Sequence, residues 1–191
     1  MRLGVFGGTF NPIHLGHLLL AETARDTLAL DRVVFIPNAQ PPHKPSAGLL
    51  PGAVRLTLIQ LAIRHHHAFV ASDIELHREG PSYTVDTVKL LRKQAPGATL
   101  FLLVGEDMLA VTWHKWAELK RLCTIVVAGR PGAKARRSDK GVTRLEMPHM
   151  QISSADIRAR IRAGRSIRYL VPDPVARYIH QHHVYRRGGH G

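Results

Sequence analysis

The chain has one cysteine, Cys123, so no disulfide can form within it and the fold must rest on a packed apolar core. Cys123 stands in the run "RLCTIVVAG", where it reads as inert packing in a buried strand, and such cysteine poverty suits a reducing compartment. Aromatic residues are scarce at 6%, which leaves few of the stacking platforms that single-stranded nucleic acids require. No RRM, KH, zinc-finger or helix-turn-helix pattern is present either. Long apolar runs are missing as well. None approaches the roughly 18 residues of a membrane span, and "MRLGVFGG" offers one Arg before a run too short for a secretory leader. Acidic residues are outnumbered, 14 against 27 Lys and Arg, giving a formal charge of +13; partners should therefore be anionic. These absences lead to the expectation of a soluble, cytoplasmic protein with no membrane and no nucleic-acid partner.

Enough apolar material is present, 45% of 191 residues, to bury the core of one globular domain. Residues 2–6, 32–37, 68–75, 99–105 and 123–129 are runs rich in Val, Ile, Leu and Phe that read as strands. Helical patterns occupy 15–29, 52–65, 83–94 and 107–120. Nearly continuous apolar strands alternating with helices predict a parallel sheet covered on both faces, a Rossmann-like, doubly wound α/β fold. Beyond residue 150 the pattern becomes two helices, "SSADIRARIRAG" and "VPDPVARYIHQHH". Ser153 or Ser154 is a plausible N-cap for the first and Gly164 its stop, and Pro172 and Pro174 flank the start of the second. The expected organisation is a single domain: an α/β core over 1–150, a small C-terminal helical extension over 151–185 and a flexible tail over 186–191. The basic stretch 129–144 reads as a solvated loop.

The chemistry concentrates in "GGTFNPIHLGH", residues 7–17, where the first strand hands over to the first helix. In an open α/β sheet this turn is the usual phosphate seat. Gly7 and Gly8 let the backbone approach a ligand closely, although the stretch is neither GxGxxG nor GxxxxGK[ST]. His14 and His17 fall on one face of the first helical turn, where free N–H groups and the helix dipole favour an anion. Gly16 between them leaves a bare patch for a flat base. A metal site and two purely structural histidines are the competing readings; against the metal, no Cys, Asp or Glu follows at a zincin-like spacing.

This stretch resembles the GxFxPxHxGH signature of the nucleotidyltransferase superfamily, and "ISSADIR" (152–158) resembles its second signature, ISSTxIR. Within that superfamily the chain is most similar to the bacterial nicotinate-nucleotide adenylyltransferase family. The likeness runs from residue 3 to about 185 through "PPHK" (41–44), "PSYTVDT" (81–87), "GEDML" (105–109), "WHKWAEL" (113–119), "GRPG" (129–132) and "IRYLVPDPVARYI" (167–179). One departure is Asn11, where the first signature often carries Asp. Phosphopantetheine adenylyltransferases share both signatures but are typically shorter and lack "PPHK" and this "GRPG". Cytidylyltransferases are more distant, and a basic nucleic-acid-binding module is the reading from another class.

The resemblance implies transfer of adenylate from ATP, with Mg2+, to nicotinate mononucleotide, giving deamido-NAD and pyrophosphate. It implies that His14, His17 and Arg158 are catalytic and contact the ATP phosphates. Gly7, Gly8, Thr9, Phe10, Gly16, Arg130, Ser153 and Ser154 would complete the ATP site. Lys44, Thr84, Gly105, Asp107 and Trp113 would serve the acceptor: Thr84 at a helix start for the nicotinate carboxylate, Trp113 for stacking on the pyridine ring, and Asp107 for ribose hydroxyls. No resident metal site is implied.

Overall fold

The structure, a computed structural model, describes residues 1–40, 48–106, 108, 111–129, 141–148 and 150–186. Strand β1 (Arg2–Gly8) leads into helix α1 (Leu15–Thr27), followed by β2 (Arg32–Pro37), α2 (Gly52–Ile63), β3 (Phe69–Ala71) and α3 (Thr84–Gln94). The second half adds β4 (Thr99–Gly105), α4 (Trp116–Leu122), β5 (Thr124–Gly129), β6 (Val142–Glu146), α5 (Ser154–Arg162) and α6 (Asp173–Gln181). All six strands are parallel, in the order β3-β2-β1-β4-β5-β6.

Because side chains alternate across a strand, each strand feeds two cores. Leu3, Val5, Val34, Ile36, Leu100, Leu102, Ile125 and Val127 meet Val85, Val88 and Leu91 of α3 and Leu119 of α4 on one face. Phe6, Val33, Phe35, Phe101, Leu103 and Val126 meet Leu20 of α1, Leu58 of α2, Ile157 of α5 and Val175 of α6 on the other. The two C-terminal helices thus share the core of α1 and α2. The doubly wound sheet expected from the apolar runs is the one observed, and its order puts the switch of winding direction between β1 and β4, beside the turn that follows β1.

Three local expectations are corrected. The stretch 129–144 was expected to be loop throughout, yet Val142–Glu146 pairs with β5 from Ile125↔Val142 to Gly129↔Glu146. Only Leu145 of this edge strand is buried, so its apolar signal is weak, and charged residues are usual on a sheet edge. Of the helix expected over 107–120, the α-helix among the described residues is Trp116–Leu122. The Trp113 indole N–H donates to the Met108 carbonyl at 2.8 Å, folding the chain back, and Lys115 takes a left-handed φ of 53° that interrupts any helix before Trp116. The strand expected over 68–75 stops at Ala71, because Ser72 Oγ accepts the Ile74 N–H and turns the chain.

Candidate active site

Gly8 ends β1, opposite Pro37 of β2. A Cβ there would lie 3.0 Å from the Phe10 ring, so the glycine makes room for a phenyl group that packs edge-on against Phe6 at 5.3 Å and His17 at 5.0 Å. Phe10 itself has a left-handed φ of 46°, a conformation that bulky residues seldom hold without support from their surroundings. The ring is therefore the floor under His17, and what the turn presents outward is backbone. Gly7 has open space where its Cβ would be.

His14 caps α1 with extended backbone, and its ring stacks on that of His17 with centroids 3.6 Å apart. His17 Nδ1 accepts the His14 N–H at 3.2 Å, which fixes the neutral tautomer of His17 with its proton on Nε2. The expected bare patch at Gly16 is occupied by His14: a Cβ at residue 16 would lie 3.1 Å from His14 Nδ1. His14 is 7% exposed and its Nδ1 is buried without a hydrogen-bond partner. Such an orphan is costly unless something else satisfies it.

Burial pulls the His14 imidazole down from its ordinary 6.5 to about 4. The unfolded chain then holds this proton more tightly than the folded one, so the associated stability is complete above pH 6.5 and is lost as pH falls through about 4. The melting temperature is expected to drop between about pH 7 and about pH 5, and to drop less in His14→Gln. Equal declines in both proteins would remove His14 as the cause.

The second signature docks directly on the first. Ser153 caps α5, accepting the Asp156 N–H at 3.1 Å and donating to the Asp156 carboxylate at 2.7 Å. Ser154 donates to the Pro12 carbonyl at 2.8 Å, and Arg158 Nη1 donates to the Asn11 carbonyl at 2.8 Å. Both serine hydroxyls are thus spent on protein groups, and the Asp156 amide in the first turn of α5 is spent on Ser153. The Arg158 guanidinium has N–H groups beyond the one given to Asn11. Asn11 Oδ1 accepts from the Tyr185 hydroxyl at 2.7 Å and from the Leu50 N–H at 3.3 Å, while its Nδ2 donates to the Gly48 carbonyl at 2.9 Å. The Asn11 side chain is therefore committed to structure.

On the other side of the switch point, Thr84 opens α3 and Gly105 closes β4. Tyr83 stacks on His114 at 4.2 Å and Trp113 leans on Trp116 at 5.5 Å, so the chain neighbours of Thr84 and Trp113 are in contact. Ser82 Oγ accepts the N–H groups of Ala39 and Gln40 at 3.0 and 3.3 Å, anchoring the chain just before "PPHK". Lys44, Asp107 and Arg130 lie outside the described residues. Among the described residues no group of three or more His, Cys, Asp or Glu is arranged to hold a metal ion, and no helix is long and apolar enough to cross a membrane.

Sequence reasoning passed over three residues that build this site. Arg55, 1% exposed, donates to the carbonyls of Leu50, Thr9 and Asn38 at 2.9, 2.8 and 2.6 Å. Glu75, also buried, accepts from Asn38 Nδ2 at 3.1 Å and from the Thr87 hydroxyl at 2.6 Å. Tyr185 is the third; burial pushes its phenol well above the ordinary range, so at neutral pH it is a hydrogen-bond donor.

Residues 5–160 match the family described as cytidylyltransferase-like. A Geobacter sulfurreducens protein named probable nicotinate-nucleotide adenylyltransferase is 41% identical over 216 residues, spanning 99% of this chain and 100% of its own length. A Symbiobacterium thermophilum protein of the same name is 44% identical over 204 residues, spanning 100% of this chain and 98% of its own. Among solved structures, Plasmodium falciparum nicotinic acid mononucleotide adenylyltransferase complexed with NaAD superposes with a TM-score of 0.79 at 16% identity, covering 96% of this chain and 97% of that one. That last likeness is one of fold.

Proposed function

The chain belongs to the nicotinate-nucleotide adenylyltransferases of the cytidylyltransferase-like family, and on that premise we propose that it transfers adenylate from MgATP to the 5′-phosphate of nicotinate mononucleotide, releasing pyrophosphate. One observation carries the reading. Ser154 and Arg158 are bonded to the carbonyls of Pro12 and Asn11, which gathers the start of α5, a guanidinium and the two stacked imidazoles at the start of α1 beside the switch point. That is a seat for a triphosphate.

In this reading the acceptor phosphate oxygen bonds to the α-phosphorus while the bond from that phosphorus to the bridging oxygen of pyrophosphate breaks. A phosphate monoester loses its second proton near pH ~6, so the nucleophile arrives ionised and needs no general base. The protein's work is alignment and offsetting of charge. His17 Nε2–H donates to the α-phosphate, Arg158 and the α5 amides hold the leaving β- and γ-phosphates, and His14 steadies the His17 ring by stacking on it at 3.6 Å. With Asn11 turned away, Mg2+ enters with the ATP phosphates that coordinate it. On the acceptor side, Thr84 at the α3 start meets the nicotinate carboxylate and Trp113 the pyridine face; Lys44 and Asp107 act on the acceptor phosphate and ribose. Arg130 serves the ATP side of the site.

The direct test is pyrophosphate release from MgATP with nicotinate mononucleotide, nicotinamide mononucleotide and phosphopantetheine compared under one set of conditions. Release mainly with the first is expected. Release mainly with phosphopantetheine would keep the phosphate seat and overturn the roles given to Thr84 and Trp113.

A further inference from the structure

Tyr185 stands 174 residues beyond Asn11 in the chain, and its hydroxyl donates to Asn11 Oδ1 at 2.7 Å. It is 8% exposed, although it belongs to the segment that follows the last helix. Getting there requires left-handed backbone at both His183 (φ 51°) and Tyr185 (φ 67°), conformations disfavoured for residues with a Cβ. Burial of the ring and the bond to Asn11 are what the chain gains in return.

Asn11 is 5% exposed, and its two side-chain polar atoms and its main-chain carbonyl have different partners. Oδ1 takes the Tyr185 hydroxyl and the Leu50 N–H, Nδ2 gives to the Gly48 carbonyl, and the main-chain carbonyl takes Arg158 Nη1. A planar amide held from three sides cannot rotate, and its residue's own carbonyl is the point on which the Arg158 guanidinium rests. The next carbonyl, that of Pro12, holds Ser154.

We propose that Tyr185 is a positioning residue for nucleotide binding: through Asn11 it fixes the turn that aims Arg158, so the residues that follow α6 help set the affinity of the triphosphate seat. The inference rests on the adenylyl-transfer reading. Tyr185 touches no substrate; it acts on one through Asn11 and Arg158.

The test is the dissociation constant, by calorimetry, of an ATP analogue with a methylene bridge between the α- and β-phosphates, measured on the full chain well below the melting temperature. Tyr185→Phe keeps the ring and removes the hydroxyl; binding about tenfold weaker is expected, the loss of one charge-supporting hydrogen bond's worth of order, with the acceptor KM unchanged. A residue that only stabilised the fold would lower the melting temperature and leave both constants alone, and that result overturns the proposal. The same measurement from the other end of the bond uses Asn11→Ala and Asn11→Asp, which also serves should Tyr185→Phe not fold. Asp keeps an acceptor for Tyr185 and Leu50 and should retain most of the affinity that Ala loses; equal affinities for Ala and wild type overturn the proposal. Asn11→Ala combined with Tyr185→Phe should bind no more weakly than Asn11→Ala alone, and additive losses would again overturn it. Failure of the wild-type chain to bind the analogue would instead overturn the adenylyl-transfer reading.

Discussion

His17→Ala is expected to lower turnover by about 10²- to 10⁴-fold, the range seen when a preorganised transition-state donor is removed, while leaving the protein folded. Both halves follow from the geometry. The His17 ring is held from below by Phe10 at 5.0 Å and Phe6 at 5.9 Å and from the side by His14 at 3.6 Å, and Nδ1 is engaged by the His14 N–H, so Nε2–H is aimed before substrate arrives. Such a donor costs no reorganisation at the moment of reaction. What the fold loses includes a 3.2 Å hydrogen bond, worth about 1 kcal/mol, and ring packing at a half-buried position. Circular dichroism and a melting curve close to wild type, set against turnover with MgATP and nicotinate mononucleotide, check both. Turnover like wild type in the folded variant would remove the central role given to His17.

The parts of this site legible in the sequence are those where a residue type is needed for its own sake. Paired glycines, two histidines and a Ser-Ser-x-x-x-Arg stretch each name a turn or a helix start without help from the rest of the chain, and the strands that carry them are apolar because both sheet faces are covered. What escaped is whatever depends on a distant partner. Arg55 in "AVRLTLIQLAIR" reads as one polar position on a helix; only the fold brings the carbonyls of Thr9 and Asn38 to it. Tyr185 follows a helix and precedes a basic tail, and nothing nearby announces a bond to residue 11. The edge strand at 142–146 was hidden for the opposite reason: it commits one side chain, Leu145, to the core, too little for an apolar pattern to register. Gly16 was legible as a glycine that must be bare, but what fills the space is the neighbouring His14 ring.

Arg55→Met is expected to produce the largest loss of stability of any single change near the site, about 4 kcal/mol, since three hydrogen bonds from a charged donor are lost and three main-chain carbonyls, that of buried Leu50 and those of half-buried Thr9 and Asn38, lose this partner. For a chain of this length that corresponds to a fall in melting temperature of about 10 °C. Burial draws the guanidinium below its ordinary pKa, and Tyr185 and Glu75 pull in the other direction; the group stays charged and is balanced by carbonyl dipoles and a buried carboxylate nearby. Its three nitrogens donate to the turn after β1, the chain after β2 and Leu50, two residues before α2, and a planar fork can reach all three at once. Methionine fills the volume and can reach none. Lysine carries the charge on a single tetrahedral nitrogen with a shorter span, so Arg55→Lys should recover only part of the loss. Because Thr9 lies in the phosphate turn, folded Arg55→Met should also bind ATP more weakly, linking the two losses through one carbonyl. Melting curves of the three proteins decide it: a methionine variant within about 2 °C of wild type would mean that these carbonyls find other partners, and that the turn does not depend on Arg55.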